Sequence, residues 1–176
     1  RDYRVNDEVY FTRHPQIAEI VFEEVLKSGQ DRFDEYFRII GALDIDYDND
    51  RWAFMSMTKA RYLLETFSNR EHIAGIYRLA RERSENDPKL LQQVAIFEME
   101  QGHLDEAENL LQEARRIEPN DSVVAHTFAE LALKKAVGSK HSAQRNKYIT
   151  EAIKVCQELI SSKVRSSYPY HTLVKA

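Results

Sequence analysis

From residue 15 onward, apolar residues recur at steps of three and four, with polar residues between them. That spacing puts the apolar side chains on one face of an α-helix. Ile17, Ile20, Val21 and Leu26 mark a helix that ends near Ser28-Gly29. Phe33, Tyr36, Phe37, Ile40 and Leu43 predict a second, starting at about Asp31. After the loop DIDYDND, the stretch RWAFMSMTKARYLLETF predicts one continuous helix with Trp52, Met55, Ala60, Leu63 and Leu64 as its buried stripe. Ile73, Ile76, Tyr77 and Ala80 mark the next. Helices of similar length joined by short polar turns continue to the end, roughly eight in all. Only RDYRVNDEVYFT at the start departs from this period: Tyr3, Val5, Val9 and Phe11 alternate around Asn6-Asp7, which predicts a short β-hairpin. The expected fold is therefore all-α, an antiparallel helix-pair solenoid, preceded by a hairpin.

Composition narrows what such a chain does. Of 176 residues, 43% are hydrophobic and 31% charged, with a net charge of −4. Both signs are interspersed, so there is no broad basic footprint for nucleic acid and no polybasic membrane anchor. Five glycines and four prolines are too few for a turn-rich all-β fold. The single Cys156 lies inside the apolar pattern of EAIKVCQELI, the setting of a packed, reduced thiol in the cytosol. No apolar run reaches transmembrane length. The chain opens on Arg1 rather than Met, and so reads as a piece of a longer protein, expected in the cytoplasm.

Regular helix pairs invite a search for repeats. The clearest unit is PKLLQQVAIFEMEQGHLDEAENLLQEARRIEP, from Pro88 to Pro119. Gly102 interrupts the chain between its two helices, where a tight or left-handed backbone is needed. Ala107 and Ala114 lie seven apart on one face of the second helix, small enough for a close helix contact. Pro119 ends that helix before Asn120-Asp121 caps the next. The unit resembles the tetratricopeptide repeat at its small, Gly and Pro positions. Flanking units are looser: Ala125, Phe128 and Ala129 fit a first helix, Ala152 and Leu159 a loose second one, and Arg83 stands where a small residue is expected. The tail SSYPYHTLVKA looks like the start of a further repeat.

Motifs for chemistry are sparse. DIDYDNDRWAFM has acidic residues at alternate positions from Asp44 to Asp50. A calcium loop also needs Gly at its sixth position and Glu at its twelfth, which hold Asn49 and Met55 here. An acidic loop that caps the Trp52 helix is the better account. The six histidines are scattered without metal spacing, and no phosphate loop, nucleophile elbow or carboxylate pair is present. No catalytic, metal or cofactor site is expected in this chain. A solenoid binds partners along the face lined by the first helix of each pair. In the best repeat that face carries Lys89, Gln92, Ile96, Met99 and Glu100, a mixed groove for a protein or peptide. Alternatively, Ile96 and Met99 pack against the following repeat. The tetratricopeptide carboxylate clamp wants polar or basic groups where Ile96, Val123 and Thr127 stand, so that clamp is not expected.

One helix start is unusual. Pro15 suits a first helical position, yet the cap site before it holds His14, with Arg13 beside it. Cations there oppose the macrodipole, whereas a phosphate would be welcomed by all three groups. A hairpin, then Arg13-His14-Pro15, then an amphipathic helix and a repeat array resembles the end of the winged-helix domain of STAND NTPases, where an MHD-type motif precedes the sensor repeats. The wording RHPQIAEIVFE resembles bacterial anti-phage members in particular. The resemblance implies that residues 1–28 are the winged-helix remnant and 29–176 the sensor repeats. It also implies that His14, with Arg13 in the position of the motif's Met, contacts the phosphate of ADP or ATP held by an upstream nucleotide-binding domain. Pro15 replaces the motif's Asp, so only the histidine is shared directly. A free-standing tetratricopeptide scaffold without a nucleotide is the alternative.

Overall fold

The computed structural model describes residues 24–162 and 168–175, and among them every regular element is a helix. The hairpin expected over residues 1–12, Arg13, His14 and most of the helix expected from Ile17 lie outside the described residues. Among the described residues, nine helices follow one another from Gly29: α1 (Gly29–Ala42), α2 (Asp48–Met57), α3 (Ala60–Thr66), α4 (Arg70–Arg83), α5 (Pro88–Gln101), α6 (Leu104–Ile117), α7 (Ser122–Gly138), α8 (Ser142–Ser161) and α9 (Tyr168–Lys175). None is long and apolar enough to cross a membrane.

Local chemistry sets their ends. Asp87 accepts from the backbone N–H of Lys89 (2.9 Å) and Leu90 (3.1 Å), with Pro88 in the first turn of α5. Asp121 does the same at α7, accepting from Val123 (2.7 Å) and Val124 (2.9 Å). Gly102 ends α5 at φ 83°, a left-handed conformation in which a Cβ would be strained. After it, α6 turns back along α5, and α8 likewise packs on α7. Ala107 and Ala114 are fully buried, as their spacing predicts, and Arg115 lies over the ring of Phe128 at 5.3 Å, linking α6 to α7.

The stretch expected as one helix from Trp52 to Phe67 is two, broken at Thr58-Lys59. The break is held by tertiary partners. Tyr36 donates its hydroxyl to Met57 O (3.0 Å), Tyr77 to Thr58 O (3.1 Å), and the buried Thr58 hydroxyl donates to Phe54 O (2.9 Å). Burial pushes both tyrosine hydroxyls far above their ordinary range, so both stay neutral donors. The break rotates the stripe: Phe54 is buried, and Trp52, expected inside, is 73% exposed. Phe37 is likewise more exposed than its period predicts.

Arg83, which looked misplaced in a repeat, has a different task. Its guanidinium donates to Gly41 O (2.6 Å) and Leu43 O, satisfying carbonyls at the C-terminal end of α1. The acidic loop folds on itself, with Asp50 accepting from the Asp44 N–H (2.9 Å) and Asp44 from the Asp46 N–H (3.2 Å). α2 begins with Asp48 and Asp50 in its first turn, where the helix dipole favours them. One hydrophobic cluster runs from Tyr36 to Leu131, and a smaller one of Ala129, Ala132, Ala152 and Cys156 joins α7 to α8. Cys156 is fully buried, and burial followed by the Glu130 charge pushes its thiol up.

Candidate functional site

The first helices α3, α5 and α7 are tied to one another by a chain of side-chain hydrogen bonds. The Ala60 N–H, in the first turn of α3, donates to Gln93 Oε1 (2.8 Å). Gln93 Nε2 donates to Gln92 Oε1 (2.6 Å), and Gln92 Nε2 donates to Thr127 Oγ1 (2.8 Å) on α7. Thr127 in turn donates to Val123 O (3.0 Å). Gln92 is 5% exposed and Thr127 2%, so each group takes a protein partner in place of water. This ladder fixes three helices in register across one face.

The five groove residues expected from the sequence therefore separate. Lys89 is exposed, and Ile96 half-buried. Gln92 and Met99, expected to be open to a partner, are buried. Gln92 is turned into the ladder, and the Met99 carbonyl accepts from Lys134 Nζ of α7 (3.0 Å). Glu100 is exposed but ion-paired with the same Lys134 (2.5 Å). The C-terminal half of the face is thus closed by α7 packing over α5, the packing alternative for Met99.

What stays open lies at the N-terminal end. A cleft of about 200 Å³ is lined by Met55, Lys59, Lys89, Asp121, Val123 and Val124, together with the two glutamines. Val123, on its rim, is 56% exposed. Lys59 and Gln93 were not singled out by sequence reasoning as groove residues, and Thr127 only as a position that departs from the carboxylate clamp. Only the adjacent Gln92-Gln93 pair gave a signal, since two neighbouring amides on an apolar helix need polar partners.

A wider cleft, about 590 Å³, is lined by residues of α4 and α5. Tyr77, Arg78, Arg81, Glu82, Phe97 and Glu98 are among its lining residues, a mixture of both signs that selects no charge. Among the described residues no group of three or more His, Cys, Asp or Glu could hold a metal ion. Arg13 and His14 lie outside the described residues. Compared with protein-family models, with curated proteins and with solved structures, the chain matches none.

Proposed function

We propose that this chain is the partner-recognition segment of a STAND-type P-loop ATPase, a tetratricopeptide-like solenoid that senses a protein trigger in bacterial defence or signalling. The observation that carries the binding part is the ordered row of first helices α3, α5 and α7, held by the amide ladder and left open at one end. A surface fixed before its partner arrives loses little conformational freedom on binding. The left-handed Gly102 and the buried Ala107 and Ala114 support the tetratricopeptide likeness. The nucleotide part is supported by Arg13-His14-Pro15, where the sequence pattern predicts a helix start. In this reading turnover, ATP and ADP belong to an upstream nucleotide-binding domain, and the repeats only bind. A free-standing scaffold with the same surface is the second reading, and the same helical row supports it.

ADP affinity separates the two. In a chain that carries the nucleotide-binding domain, His14→Ala removes one charge-assisted hydrogen bond, about 1.5–3 kcal/mol, so ADP should bind roughly ten- to a hundredfold more weakly. Basal signalling should rise in parallel. Unchanged ADP affinity would contradict the nucleotide link and leave the scaffold.

A further inference from the structure

Lys59 and Lys89 are free cations beside an apolar opening. Lys59 caps the start of α3, Lys89 lies in the first turn of α5, and both line the 200 Å³ cleft. Neither forms an ion pair with a described residue. The nearby acids are already engaged: Asp121 caps α7, and Asp87 caps α5 and pairs with Arg51 at 3.1 Å. Two lysines against the one carboxylate of Asp121 leave the cleft lining net positive in a chain whose net charge is −4. Met55, Val124 and the exposed Val123 line the same cleft. At about 200 Å³ the cleft is below the roughly 300–1,000 Å³ of small-molecule sites, and suits one large side chain of a protein segment.

We infer that this cleft takes a protein segment in which one large apolar side chain is flanked by acidic residues, the side chain seated between Met55 and Val123 and the carboxylates meeting Lys59 and Lys89. The inference rests on the reading of this face as a partner surface, and adds the partner's chemistry. The apolar anchor supplies the affinity, because its burial removes surface from water. The lysines supply orientation and rate, because pairs at a wet rim are individually weak. Beneath them the ladder holds the floor still, and Met55 adapts to the shape of the anchor.

Fluorescence anisotropy on the full 176-residue chain tests this, with a labelled peptide carrying one leucine between two pairs of acidic residues. The peptide should bind, and its leucine-to-serine version should bind at least about tenfold more weakly. Lys59→Ala with Lys89→Ala should weaken binding about two- to twentyfold, and Val123→Asp at least as much. These three positions are exposed, so circular dichroism should be unchanged. Equal binding of the serine peptide would reduce the site to an anion patch and overturn the inference. A tighter, lysine-independent fit of a peptide with basic flanks would overturn the charge class while leaving partner binding intact. Dimerisation of the chain abolished by Val123→Asp would assign the cleft to a second copy, also overturning it. The titration uses no nucleotide, so its failure and that of the ATPase link are separable.

Discussion

Gln92 shows how one side chain can be engaged inside a structure where its type suggests a free surface. Its carbonyl oxygen accepts from Gln93 and its amide donates to Thr127, so removing either neighbour strands a buried polar atom. Such an orphan costs about 1–3 kcal/mol, whereas replacing both partners with apolar groups of similar shape costs much less. Thr127→Val should therefore lower stability by about 1–2 kcal/mol in urea unfolding, since Gln92 loses its acceptor. Combining it with Gln92→Met should give a total below the sum of the single effects, with a coupling of about 0.5–3 kcal/mol. Strict additivity would mean that the two side chains do not share a hydrogen bond. At this scale the sequence was legible for caps and small residues, where the cause is local. Asp121, Gly102, Ala107 and Ala114 all act where their spacing placed them. It was not legible for Gln92 and Met99, whose burial depends on a helix some thirty residues further on.

The same distinction governs whole elements. Nothing in MSMTKA breaks a helix by propensity, and the break at Thr58 exists because Tyr36 and Tyr77 reach in from other helices to take the freed carbonyls. Arg83 belongs to this class, since its partners sit at the end of α1. Ion pairs also join elements. Lys135 of α7, with a side chain only 9% exposed, donates to Asp105 (2.8 Å) and Glu108 (2.6 Å) of α6. Burial works against the ammonium, but its hydrogen bonds to Asp105 and Glu108 outweigh it and hold Lys135 above its ordinary 10.5. A raised pKa means stability fully present below the unfolded value and lost as pH rises through the folded one. Lys135→Met should cost about 1–3 kcal/mol at neutral pH, from the lost charged hydrogen bonds. Its melting temperature should also fall less steeply than the parent's above pH 10.5. A parallel loss in both proteins would place the alkaline transition elsewhere.

Across the molecule, the core follows the helix pairs. The long cluster from Tyr36 to Leu131 binds α1 through α7, and the alanine-rich cluster around Cys156 fastens α8. α9 then packs on α8 and α7, as α7 packs on α6 and α5. Among the openings in this packing are the mixed-charge cleft between α4 and α5 and the lysine-flanked cleft at the N-terminal ends of α5 and α7. We propose recognition at the second, where two exposed lysines and apolar surface lie over a floor fixed by hydrogen bonds. Amide chemical-shift mapping with the acidic, leucine-bearing peptide tests that assignment most directly. The largest changes should fall on Lys59, Lys89 and Val123 and on the side-chain amide of Gln93, with Arg78, Arg81 and Glu82 unmoved. A footprint centred on those last three residues, with Lys89 and Val123 silent, would contradict it.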